Sequence, residues 1–177
     1  MTSKMIQKQK QGKSAIQKLS EYKTTVLNRV IESDTLSKLL FYDKPDALSQ
    51  KSLTEDERLS LLHTRVYPYR FVPQPTETQT TYLTLGVNGF RRNQEAFKIY
   101  DDYQAGEIYF YLFTHVDLMR TNHGVRQDLM LGEMDRLFEG FTGIGMGELK
   151  LRYATELWMH NNKFGGYSIG FTVVDFK

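Results

Sequence analysis

The sequence predicts an α+β fold: a mixed or antiparallel sheet of about four strands flanked by helices, in the order α-α-β-β-α-β-β. Three observations predict it. Between Tyr22 and Leu62 apolar residues recur at three- and four-residue spacing; from Leu83 onward they alternate singly; and one helical stretch, Gly124–Gly140, interrupts the alternation.

Residues 1–20 are rich in Lys, Gln and Ser and poor in apolar side chains, which predicts a flexible basic arm. Residues 21–177 are expected to form a single α+β domain. Val26, Leu27, Val30 and Ile31 share one helical face. Ser33-Asp34-Thr35 reads as a break with a new N-cap, before a second stripe at Leu36, Leu39 and Leu40. Thr54-Glu55-Asp56-Glu57 has the form of a capping box and opens a short helix carrying Leu59, Leu61 and Leu62. Pro68, Pro73 and Pro75 then predict an irregular extended segment.

Leu83, Leu85 and Val87 alternate with polar residues, as in a half-buried strand, and residues 95–103 are read as its hairpin partner. Glu107 to Phe113 is apolar on both faces, which predicts a central strand covered on both sides. Asn122 is placed to cap a helix running to Phe138, with Gly140 ending it. Leu149, Leu151, Tyr153 and Leu157 alternate along one closing strand; Tyr167, Ile169, Phe171 and Val173 alternate along the other, with residues 160–166 as the loop between.

Composition excludes whole classes of chemistry. The 177 residues include no cysteine, so disulfides, thiolate metal sites and cysteine nucleophiles are out. No apolar run is long enough to span a bilayer, the first residues lack the apolar core of a secretory signal, and no membrane partner is expected. The net charge of +2 makes no electrostatic case for nucleic acid, but it is unevenly spread. Residues 1–18 hold five lysines and no acid; the remainder holds 18 basic and 21 acidic residues.

His115, Asp117 and His123 lie within nine residues and carry metal-ligating groups, but their spacing matches no familiar metal motif. They support only a second reading, a small metal-dependent enzyme or binder. Glu156 and His160, on one strand, stand roughly 13 Å apart, too far for acid-base contact. Gly143-Ile144-Gly145-Met146-Gly147 lacks phosphate-loop spacing and precedes a strand. No G-x-S-x-G elbow is present. No cofactor and no catalytic activity are expected.

Two segments suit contacts with another chain. Arg120, Arg126 and Asp128 place both signs of charge on a loop and first helical turn, which fits a register-setting subunit contact or an ordinary helix surface. Asn162, Phe164 and Tyr167 surround a polar hairpin tip, where Phe164 is either an anchor for a partner's pocket or a ring folded back over its own sheet.

Residues 80–177 resemble the neck proteins of long-tailed bacteriophages, and most of all the tail terminators. The resemblance is carried by the strand Glu107–His115, the helix Gly124–Gly140 with Arg126-Gln127-Asp128 and Glu133-Met134-Asp135-Arg136-Leu137-Phe138, and the closing hairpin with Asn162-Lys163-Phe164-Gly165-Gly166-Tyr167 and Asp175-Phe176-Lys177. Residues 1–80 depart from the smaller terminators, which leaves room for another neck or tail completion role. The resemblance implies a homo-oligomeric ring, usually of six subunits, assembled in the host cytoplasm and located in the neck of the virion. Its implied partners are the tail tube and the head connector or stopper, with genome DNA passing through the lumen unread. Ring closure needs head-to-tail contacts, for which the final strands and the basic arm are the candidates.

Overall fold

The computed structural model describes residues 15–70, 79–92, 104–143, 147–158 and 163–175. The predicted class holds: helices lie on one face of a mixed five-stranded sheet. Helix α1 spans Ala15–Glu32, α2 Asp34–Phe41 and α3 Glu55–Ser60. Strands β1 (Val66–Tyr67), β2 (Thr81–Arg92) and β3 (Gln104–His115) follow. A small ribbon, β4 (Arg120–Thr121) and β5 (Gly124–Val125), leads into α4 (Arg126–Phe138). Strands β6 (Glu148–Trp158) and β7 (Phe164–Asp175) close the chain.

The sheet order is β1-β2-β3-β7-β6. All pairs are antiparallel except β1–β2. Strand β3 is central, as its apolar run predicts. The expected hairpin partner of β2, residues 95–103, lies outside the described residues; β2 pairs with β3, Leu83 opposite Leu112 and Leu85 opposite Phe110.

The predicted helical stripes are the core. Val26, Val30, Leu36, Leu39, Leu40, Met130, Met134 and Phe138 are all fully buried, against Leu83, Leu85, Phe110, Ile169 and Phe171 of the sheet. Phe110 stacks on Phe138 at 5.3 Å between centroids. Each such side chain contributes roughly 1.5–3 kcal/mol of burial free energy. The two caps also form as read. Ser33 accepts the Leu36 N–H, and Thr54 and Glu57 make the reciprocal bonds of a capping box.

Four local readings change. Residues 15–20 of the expected arm are the first turns of α1, while residues 1–14 lie outside the described residues. Asn122 does not cap α4: Gly124, at φ +130°, turns the chain into the β4–β5 ribbon, and the helix starts only at Arg126. In β6 a bulge at Arg152 shifts the register between Leu151 and Tyr153. Leu149 and Leu151 therefore share the helix side of the sheet with Val173 and Phe171, while Tyr153 and Leu157 turn to the other side. Finally, β3 has no second layer of helices on that other side among the described residues. A smaller cluster of Tyr67, Tyr82, Phe113 and Phe164 covers part of it.

A polar tie joins the helical layer. Ser33 Oγ donates to Glu133 Oε1 at 2.5 Å, and Arg136 forks onto the same carboxylate. These partners, Arg136 first, hold the Glu133 carboxyl below its ordinary value. A carboxyl held low in the folded state stabilises above its unfolded pKa, and the contribution disappears as pH falls through the carboxylate range. Arg136 is exposed, and glutamine keeps an oxygen that accepts from Ser33, so most of the cost of Glu133→Gln is the lost charge on the acceptor of that part-buried bond. Urea unfolding is expected to show a loss of about 1 kcal/mol at neutral pH that shrinks toward ~pH 3.

Candidate assembly surface

The sheet ends on β1 at one side and on β6 at the other. On the β1 side, Leu62 bridges Val66, and β1 pairs with β2 only at Leu83 and Thr84; beyond them β2 pairs with no outer strand among the described residues. On the β6 side, the first part is closed by the chain that follows α4. Leu149 N–H donates to Phe141 O at 2.9 Å, and Gly140 N–H donates to Leu149 O at 2.8 Å. Leu151 N–H donates to the Glu139 carboxylate at 2.6 Å. Gly140, at φ +73°, makes the turn that brings this segment alongside.

Beyond the Arg152 bulge the closure stops. The antiparallel ladder to β7 alternates, so the backbone groups of Ala154, Glu156 and Trp158 point away from the sheet. No bond to them is made among the described residues. Ala154, Thr155 and Glu156 are exposed, and Trp158 is 61% exposed. An open row of donors and acceptors beside an exposed aromatic is a template for another strand.

The face of the sheet away from the helices holds a depression of about 540 Å³ lined by Arg70, Asn88, Glu107, Tyr109, Tyr111, Arg152 and Tyr153 among others. Two of its rings lie over glycines: a Cβ on Gly86 would overlap the ring of Tyr109, and one on Gly170 the ring of Tyr153. Glu107 is nearly buried there and accepts from Arg152 at 3.0 Å. Burial first, and the neighbouring Glu107 carboxylate, push the Tyr153 hydroxyl above its usual value.

The predicted site residues fare differently. Arg126 is fully buried, so no second chain reaches it. Its guanidinium donates to four main-chain carbonyls: Leu118 at 2.8 Å, Leu39 at 2.5 Å, Tyr42 at 3.0 Å and Lys44 at 2.7 Å. Phe164 is also buried, edge-on to His115 and against Tyr82, so it is a ring folded over its own sheet and not an anchor. Tyr167 is half-buried and its hydroxyl donates to Asp128 at 2.9 Å, tying β7 to α4. That carboxylate is the main cause of the raised Tyr167 pKa. Arg120 and Asp128 remain exposed. Asn162 lies outside the described residues, as do His160 and the middle of the glycine-rich turn, residues 144–146.

The metal-ligating trio does not converge. His115 is buried, and its Nδ1 accepts the Asp117 N–H at 3.3 Å, capping the short turn Val116–Leu118. Asp117 Oδ2 lies 3.5 Å from His115 Nδ1 and accepts from Gln79, whereas His123 sits exposed on the β4–β5 turn, apart from both. Among the described residues, no three His, Asp or Glu side chains gather closely enough to hold a metal ion. No helix among them is long and apolar enough to cross a membrane.

The profile of the YomW family matches residues 33–173, from the cap of α2 into the last strand. The chain belongs to the YomW family. This is a phage-derived family of the SPbeta-prophage type. The matched span of this YomW chain holds α2 to α4, β1 to β6 and most of β7, including the whole of the β6 edge. No curated protein matches the chain.

The final strands are the sequence's own candidates for subunit contact, but which half of β6 is open was not legible in it. The deciding groups, Glu139 and Gly140, act through a turn whose only sequence signal is the glycine.

Proposed function

We propose that the chain is a structural protein of the phage neck, whose copies form a ring that terminates the tail tube and joins it to the head connector. The observation that carries this reading is the half-open β6 edge. A protein that leaves the outward backbone groups of Ala154, Glu156 and the exposed Trp158 without a bond among the described residues, while blunting the rest of the same edge with its own carboxylate and turn, is built to take a strand from a neighbour there. The phage-derived family and the resemblance of residues 80–177 to tail terminators support placing that contact in the neck. Charged residues that stay exposed near the start of α4, Arg120 and Asp128, are suited to fixing the orientation of a neighbour. The body of the chain is mildly acidic outside its first 18 residues, which suits passage of DNA without retention.

Deleting the gene from a phage that carries it tests the reading. The expected particles are filled heads without tails beside free tails of uncontrolled length, both rescued by the protein supplied in trans. Free tails of normal length would move the protein to another completion step of the neck. Normal joined phage would sink the proposal.

A further inference from the structure

We propose that, before it meets tail or connector, the free protein covers its open edge with the same edge of a second copy, as a two-fold pair centred on Thr155. This deepens the reading above and rests on it only for self-association.

The geometry selects the partner and the register. In an antiparallel pair about a two-fold axis, residues whose backbone groups point outward must face one another. On β6 those are Ala154, Glu156 and Trp158, so the axis passes through one of residues 154 to 158, and an axis at Leu157 or Trp158 would leave at most three facing residues within β6. An axis at Ala154 would lay the second strand over Lys150 and Leu151, where Glu139, Gly140 and Phe141 already occupy the edge. An axis at Glu156 would set the two Glu156 carboxylates opposite each other, a destabilising like-charge pair. An axis at Thr155 avoids both. Ala154 then exchanges backbone bonds with Glu156 of the second copy, and Glu156 with its Ala154. Tyr153 meets Leu157 of the second copy on the face away from the helices, where both side chains are only half-buried in a single chain. Each copy thus supplies both the outward backbone groups and the half-buried side chains that meet them.

A polar ring needs head-to-tail contacts, whereas this pair is two-fold. Pair and ring use the same edge, so the pair must part before the ring closes. The pair thus keeps an aggregation-prone edge covered until a partner offers a better strand.

The chain has no cysteine, so a single introduced thiol reports cleanly. At the proposed axis the two Thr155 residues form a non-hydrogen-bonded pair, with side chains near enough for a disulfide after Thr155→Cys. Glu156→Cys is equally exposed but its two thiols are displaced along the strands beyond disulfide reach. Under mild oxidation Thr155→Cys is expected to form covalent dimer several-fold faster than Glu156→Cys. Light scattering of the unmodified protein should give a mass approaching twice 20.7 kDa as concentration rises. Glu156→Pro removes an outward N–H without touching the inner ladder, and should return the mass to a single chain. A mass that stays at one chain, with both thiol variants slow, overturns the pair. A higher mass with Glu156→Cys linking as fast as Thr155→Cys overturns it too, because the copies then meet elsewhere. Neither result touches the gene-deletion outcome, so pair and neck role stand or fall separately.

Discussion

Replacing Arg126 by methionine is expected to destabilise the fold by about 4 kcal/mol, without any effect specific to assembly. The side chain is fully buried and makes four charge-assisted hydrogen bonds to backbone carbonyls. Two of the acceptors, Leu39 and Tyr42, belong to the last turn and C-cap of α2, whose carbonyls have no partner within the helix. Lys44 lies in the following loop and Leu118 in the turn after β3. Methionine fills similar volume but leaves all four oxygens without their donor. A cation in the first turn of α4 opposes that helix's own dipole, yet here it sits at the negative end of α2. Burial pulls the guanidinium pKa down, and nearby Asp43 partly offsets this. Lysine keeps the charge but not the fork, so Arg126→Lys should recover only part of the loss, costing about 2 kcal/mol. Urea denaturation of the three proteins measures both values. Near-neutrality of the methionine variant would show that the clasp contributes little. A selective loss of oligomer at unchanged stability would restore Arg126 to the interface.

Gly166→Ala is expected to have an effect as large, for a different reason. Gly166 lies in β7 opposite Phe113 of β3. A Cβ at this position would overlap the Leu112 carbonyl oxygen and approach its carbon to 2.7 Å. The obstacle is backbone of the central strand, which cannot rotate away as a side chain can. The two strands must separate locally or β7 must shift, breaking ladder bonds at the middle of the sheet; a loss of about 3–5 kcal/mol or failure to accumulate folded protein is the expected result. Gly89→Ala is the matched comparison. It places a methyl group at φ +63° in open space, so only the conformational cost remains, about 1 kcal/mol. Thermal unfolding of both variants side by side checks the contrast. Equal losses would mean that the close approach at Gly166 relaxes freely.

Much of the fold was written in local pattern. The stripes Val26 to Ile31 and Leu36 to Leu40 became buried helix faces because a 3.6-residue repeat admits one apolar side. Ser33 and Thr54 became caps because their hydroxyls satisfy N–H groups a few residues away, a contact that needs no tertiary partner. The centrality of β3 followed from its apolar residues on both faces.

What failed locally failed for physical reasons that span the chain. Arg126 and Asp128 look alike as charged residues opening a helix, but one is buried because the C-terminus of α2, over 80 residues earlier, lies against it. Phe164 sits among polar loop residues in sequence, yet the pairing of β7 with β3 carries it over Tyr82 and His115. The bulge at Arg152 reverses which side of β6 is apolar, and single-residue alternation cannot announce an inserted residue.

By itself, then, the sequence determined the fold class, the helical faces, the caps and the strand at the centre, because each depends on contacts between residues close along the chain or on a simple period. Only the tertiary structure decided which charges are buried and how far the β6 edge is covered. Those outcomes depend on carbonyls, carboxylates and rings brought from distant segments: four backbone oxygens made Arg126 an internal clasp, and one carboxylate with one glycine turn closed β6 only as far as Leu151 among the described residues.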